Sequence, residues 1–279
     1  MTRVAAIQMA SGPHVAANLL EAARLIELAA ASGAELIVLP ENFAIVGLSE
    51  RDKVEVRERD GSGPIQDFLA QQAAKHSIWL VGGTMPLESS QPDKVRAACL
   101  VYDSKGTRVA RYDKIHLFDV SLNEGAETYE ESRTIEPGTE TLVIDSPVGR
   151  LGIAVCYDLR FPEQFRRMLE QGMEVFALPS AFTAITGRAH WEVLVRARAI
   201  ENLCYGIAAA QGGYHVNGRE THGDSMIVDP WGVVMDRLIR GSGIVLADLD
   251  SERLIRTRRN FPSIGHRRLH CGGETLSPT

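Results

Sequence analysis

The chain has 279 residues, 44% of them hydrophobic, and 30 Lys and Arg against 36 Asp and Glu give it a net charge of −6. That composition supplies a sizeable core and excludes a general nucleic-acid binder, which needs a basic surface to displace counterions. No run approaches the roughly 18 apolar residues of a membrane span, and Met1–Ala10 lacks the basic and apolar regions of a secretory signal.

In chain order, the Val4–Gln8 run reads as a strand, and Val15–Ala31 places Leu19, Leu20, Ala23, Leu25, Ile26 and Ala29 at near-helical spacing. Glu35–Leu39 returns to strand and stops at Pro40. The cycle repeats with a helix over Pro64–Lys75 and a strand over Ile78–Gly82. Ala97–Asp103 and Thr107–Tyr112 flank a Ser-Lys-Gly turn, as a hairpin does.

The second half echoes the first. Strands are expected over Leu142–Asp145 and Arg150–Cys156, then a helix over Pro162–Gln171 stopped by Gly172. A strand over Glu174–Leu178 precedes a helix over His190–Asn202 with Val193, Leu194, Ala197 and Ile200 as its apolar face. Tyr205–Ala210, Ser225–Val228, Val233–Asp236 and Gly243–Leu249 form a strand-rich end. No composition break or flexible linker divides the chain. One α/β domain over residues 1–279 is expected, with a short C-terminal tail from about residue 270.

Polar residues stand out at three apolar run ends. Glu41 emerges from Ile37-Val38-Leu39-Pro40, Lys114 follows Arg111-Tyr112-Asp113, and Cys156 ends Gly152-Ile153-Ala154-Val155. Taken singly, such a Glu or Lys is ordinarily a solvated charge, and a free Cys is ordinarily buried for packing. Cys156, however, is soon followed by Phe161-Pro162-Glu163, which opens a helix; a strand–turn–helix elbow exposes a nucleophile. Thiol cleavage of an amide needs a nucleophile, a proton carrier and a cation or dipole for the oxyanion. Cys156, Glu41 and Lys114 supply all three without a metal, a cofactor or a histidine.

These motifs resemble the nitrilase superfamily, whose hallmark is a Glu-Lys-Cys set in that order. Glu41 lies in LPENF, Lys114 in YDKIHLFD and Cys156 in VCYDLRFPE, and the likeness runs from the first strand to about Arg268. The resemblance implies a four-layer α-β-β-α sandwich, no cofactor, and a homodimer or higher homo-oligomer. It also implies a second glutamate after the lysine, matched by Glu131, with Glu130 as the alternative if the preceding loop is one residue longer. By the same likeness Lys114 and the Tyr157 N–H form the oxyanion hole, Arg160 clamps a substrate carboxylate, and Phe182, Thr183 and Thr186 line the rest of the pocket.

The stretch ITGRAHWEVLVRARAIE, the later AAQGG and the final HRR resemble the branch containing deaminated-glutathione amidases and ω-amidases, leaning toward the first. Deaminated glutathione is therefore the expected substrate. An ω-amidase acting on α-ketoglutaramate or α-ketosuccinamate is the alternative, and an inactive scaffold of the same fold is the reading from another class. Asp224 departs from the His that many relatives carry there.

Other features read as bland. Cys99, Cys156, Cys204 and Cys271 are scattered without a CxxC pair, as in a reduced, cytoplasmic protein. His266, His270 and Cys271 lack a fourth ligand, so no metal is expected there. The arginines from Arg253 to Arg268 read as a solvated face or a subunit contact in a chain whose partner is a small amide, not nucleic acid or membrane.

Overall fold

The computed structural model describes residues 1–122 and 127–269. The first half comprises β1 (Thr2–Gln8), α1 (Val15–Ala31), β2 (Leu36–Val38), α2 (Asp52–Glu55), α3 (Pro64–His76), β3 (Trp79–Val81), β4 (Met85–Glu88), β5 (Val95–Tyr102), β6 (Arg108–Asp113), β7 (Asp119–Leu122) and β8 (Glu127–Glu130). The second comprises β9 (Leu142–Ser146), β10 (Gly149–Ile153), α4 (Pro162–Glu170), β11 (Val175–Ser180), α5 (Ala184–Asn202), β12 (Tyr205–Ala210), β13 (Gly212–Tyr214), β14 (Glu220–His222), β15 (Ser225–Val228), β16 (Val234–Leu238), β17 (Gly243–Leu249) and α6 (Ser251–Asn260).

Two sheets carry the fold. One runs β17-β1-β2-β3-β5-β4 with β6 paired to β5, and the other runs β16-β15-β12-β11-β10-β9. Within each, the central strands are parallel, β1-β2-β3 in the first and β10-β11-β12 in the second. The period-2 alternation of strand side chains sorts the first sheet into two faces. Val4, Ala6, Leu36 and Val38 join the core shared with the second sheet, while Ala5, Ile7 and Ile37 pack with Leu25 and Ile26 of α1 and Leu69 of α3. Phe165 and Met168 of α4 and Trp191, Val195 and Ala199 of α5 cover the second sheet's outer side. The result is the expected four-layer α-β-β-α sandwich, buried on both faces of each sheet.

Helix α5 departs from expectation in two ways. It begins at Ala184 rather than His190, because Thr183 adopts an extended conformation and its hydroxyl accepts from the Thr186 N–H as an N-cap. Its inward face is Trp191, Val195, Arg198, Ala199 and Asn202, whereas Val193 and Ile200 are exposed. Arg198 is buried because its Nε donates to the Leu159 carbonyl and its Nη1 pairs with Glu201. Cys99, Cys156 and Cys204 are free buried thiols, while His270 and Cys271, like the expected tail, lie outside the described residues. No helix among the described residues is long and apolar enough to cross a membrane.

Candidate active site

Glu41 leaves the C-terminal end of parallel strand β2, the end at which open α/β sheets present ligand sites. The chain is held there on both sides: the Leu39 N–H donates to the Val81 carbonyl, and Gln211 Nε2 donates to the Glu41 carbonyl at 3.0 Å. Gly83, with φ +58°, must be glycine, since a Cβ there would stand 2.2 Å from the Pro40 carbonyl oxygen. Glu41 is only 3% exposed.

Lys114 follows β6, its backbone pinned by N–H donation to Ala97 and acceptance from Gly138. The side chain is 1% exposed, and its ammonium lies 2.8 Å from Glu41 Oε1 and 2.9 and 2.8 Å from the two oxygens of Glu131. Burial alone would pull the ammonium's pKa down, but Glu131 and then Glu41 outweigh it, so Lys114 stays charged well above its ordinary range. Glu131 begins a short 3-10 turn after β8 and also accepts the Phe118 N–H at 2.7 Å. Glu130 instead pairs with Arg133 at 2.6 Å on the exposed side. Of the two candidate glutamates, the structure brings Glu131 to the lysine.

Cys156 lies three residues past β10, at the start of a 3-10 turn over Cys156–Arg160, so the expected strand ends early. Its φ of +49° is uncommon for a residue with a side chain and marks a sharp elbow. Burial and then the Glu41 carboxylate raise the thiol's pKa, opposed by Lys114 and by a backbone hydrogen bond from Ala181. A thiol in such surroundings becomes nucleophilic only where a base can take its proton, and Glu41 is the carboxylate beside it.

Asp158 holds this elbow and was not singled out in the sequence. It is fully buried; it accepts the Val155 N–H at 2.8 Å, the Tyr112 hydroxyl at 2.6 Å and the His116 N–H at 3.0 Å, and His116 Nδ1 lies 2.7 Å away. Tyr112 and His116 flank Lys114, so this single carboxylate ties the lysine segment to the cysteine turn. The sequence signal was an acidic residue inside an apolar motif, which spacing alone does not interpret.

Glu41, Lys114, Glu131, Cys156, Tyr157, Arg160, Phe182, Thr183 and Thr186 all line one cleft, together with Glu50, Lys53, Tyr129 and Arg219 from segments the sequence reading passed over. It is open to solvent, with a cavity volume of about 90 Å³. The Arg160 guanidinium lies over the Phe182 ring at 5.2 Å and the Tyr157 ring at 5.8 Å, with His190 Nδ1 at 3.2 Å as its one polar side-chain partner among the described residues. A guanidinium without a carboxylate partner among the described residues, in the same cleft as Cys156, is equipped to receive an anion. Thr186 lies in the first turn of α5 rather than in a loop.

Asp224 is outside the cleft lining. Its backbone carbonyl accepts Trp191 Nε1 at 2.7 Å, with Trp191 packed on Phe182, and its carboxylate takes Arg237, with Nε at 2.9 Å. Among the described residues no group of three or more His, Cys, Asp or Glu is placed to hold a metal ion.

Residues 3–259 match the carbon-nitrogen hydrolase family. The chain is 41% identical over 266 residues to the deaminated glutathione amidase of Synechocystis sp. (strain PCC 6803 / GT-S), covering 94% of this chain and 97% of that protein. It is 39% identical over 278 residues to the Homo sapiens deaminated glutathione amidase, covering 99% of this chain and 85% of that one. The crystal structure of Saccharomyces cerevisiae Nit3, a member of branch 10 of the nitrilase superfamily, superposes with a TM-score of 0.84 at 31% identity over 94% of each chain.

Proposed function

The chain belongs to the carbon-nitrogen hydrolase family, and from that premise we propose that it cleaves a carboxylate-bearing amide through a thioester on Cys156, with deaminated glutathione as substrate. The observation that carries the chemistry is the convergence in one cleft of a buried thiol, a buried carboxylate and a buried lysine in contact with two glutamates.

Glu41 takes the thiol proton as Sγ bonds to the amide carbon. The carbonyl oxygen becomes an oxyanion stabilised by the Lys114 ammonium and the Tyr157 N–H. On collapse the C–N bond breaks, and Glu41 passes its proton to the departing nitrogen. Water then attacks the thioester with Glu41 as base, the S–C bond breaks, and the proton returns to sulfur. Each such proton transfer is worth about 10²–10⁴-fold. Glu131 holds Lys114 in line, and Arg160 binds the carboxylate of the acyl half.

Support for the substrate is Arg160, which lines the cleft with no carboxylate partner among the described residues, together with the likeness to the amidases of that name. The test is an amine- and ammonia-release panel of deaminated glutathione, α-ketoglutaramate, α-ketosuccinamate, simple aliphatic amides, N-carbamoyl amino acids and a nitrile. The highest kcat/KM is expected for deaminated glutathione. A clear preference for α-ketoglutaramate would make the protein an ω-amidase, and no release from any compound would favour a scaffold.

A further inference from the structure

The charges of the cleft do not end at the catalytic groups. Four carboxylates line it, and each has a cation: Glu41 and Glu131 share Lys114, Glu130 has Arg133 outside the lining, and Glu50 has two, Lys53 at 2.9 Å and Arg219 at 3.2 Å. Counting direct contacts, two cations face one carboxylate at this second centre, with Glu127 close by on the Tyr129 hydroxyl at 3.0 Å. Lys53, opposed by burial, and then Arg219 keep the Glu50 carboxyl below its usual range, as a positive local potential requires.

This centre is built rather than casual. Lys53 is buried on α2 despite its charge. Arg219 sits at the tip of the β13–β14 hairpin, where Asn217 accepts its N–H at 3.1 Å and itself donates to the Gly47 carbonyl at 2.7 Å. The guanidinium lies 4.8 Å over the Tyr129 ring, and among the described residues its ion pair is through Nη1 to Glu50. A guanidinium has five N–H donors, so capacity for a further acceptor remains.

The two cationic centres are separated by a wall of rings. Arg160 touches Tyr157, whose centroid is 5.0 Å from Phe118, which is 5.2 Å from Tyr129, which carries Arg219. Cys156 is the immediate neighbour of Tyr157, so the reacting carbon sits toward the Arg160 end. An occupant running along this wall from Arg160 would have its acyl half at the nucleophile and its departing half pointing to Arg219.

We propose that Arg219 and Lys53 form a second anion subsite that binds a carboxylate on the leaving amine, so that the enzyme selects peptide-like amides ending in a free carboxylate. This rests on the amidase reading for the direction of the substrate. The subsite itself makes no claim on the chemical step.

Binding to the full-length Cys156→Ala protein, measured by calorimetry, separates the two. The ligands are 2-oxoglutaryl-alanylglycine and 2-oxoglutaryl-alanylglycinamide, which differ only in the terminal carboxylate. The carboxylate form is expected to bind about 10- to 100-fold tighter, the range for a hydrogen bond to a charged group. In Cys156→Ala/Arg219→Gln that ratio should fall toward one, with Arg219→Lys retaining part of it and Lys53→Met losing part. Equal affinity for the two ligands in the parent protein would overturn the proposal. So would a ratio that survives Arg219→Gln but collapses in Arg160→Gln, since Arg160 would then read that end. Wild-type turnover of the same pair is scored separately. A normal binding ratio without amine release counts against the amidase reading alone, whereas release with a ratio of one removes the subsite alone.

Discussion

Replacing Glu131 by Gln tests how the lysine is held. Glu131 gives Lys114 two contacts of 2.9 and 2.8 Å and is the largest single influence keeping the buried ammonium charged against its desolvation. The amide oxygen of Gln still accepts one hydrogen bond from Lys114 or the Phe118 N–H, so the side chain fits but its charge is gone. Hydrogen bonds to a charged partner contribute about 1.5–3 kcal/mol. The oxyanion stabilisation that a correctly placed donor provides is worth about 2.7–4 kcal/mol. Losing the lysine's alignment therefore costs part of the second quantity, about 1.4–2.7 kcal/mol, and kcat should fall about 10- to 10²-fold. Glu130→Gln is the control one residue away, where an exposed pair with Arg133 is worth about 0–1 kcal/mol. Its kcat should stay within about fivefold of wild type by the same energy. The assay is steady-state amine release at saturating substrate, with thermal melts to show that both variants fold. Equal damage from the two substitutions, or a Glu131→Gln enzyme of near-normal kcat, would refute the role assigned to Glu131.

Further outcomes follow from the same contacts. Asp158→Asn places an amide among three N–H and O–H donors and should cost about 1–3 kcal/mol; an unchanged denaturant midpoint would show that the Asp158 network does not hold the elbow. Arg160→Lys keeps the charge but not the planar fork, so KM should rise with kcat nearly retained, and Arg160→Gln should raise KM further; a fall in kcat without any change in KM would remove Arg160 from substrate binding. Alkaline pH should destabilise the fold. Burial pushes the Cys204 thiol up to about 12 and raises Cys99 and Cys156 as well, whereas an unfolded thiol ionises near pH 8.5. Stability from these thiols is complete below about pH 8.5 and is lost as pH rises toward their folded values, at about 1.4 kcal/mol per pH unit for each. Urea midpoints from pH 8 to 10 measure this, and a flat profile there would contradict it.

Much of the fold was legible because its strands and helices have clean periods. Val15–Ala31 is helical to the residue, and the hairpin flanking Ser104-Lys105-Gly106 forms as β5 and β6. What escaped was decided by tertiary contacts. Helix α5 starts before His190 because Thr183 caps it, and it packs against His222 at Gly187, where a Cβ would stand 2.2 Å from that side chain. The face of α5 was misassigned because Arg198 and Asn202 find buried partners while Val193 and Ile200 do not. In the site, Glu41, Lys114 and Cys156 announced themselves by ending apolar runs. Asp158, Glu50, Lys53 and Arg219 did not, since each is an ordinary charge until three distant segments are folded around one cleft.

The most direct test of the account is to acid-quench the enzyme during turnover of deaminated glutathione and map acyl adducts on its peptides by mass spectrometry. The account predicts a 2-oxoglutaryl group on the peptide containing Cys156, lost together with turnover in Cys156→Ala. Continued turnover by Cys156→Ala, or an adduct on another residue, would contradict it.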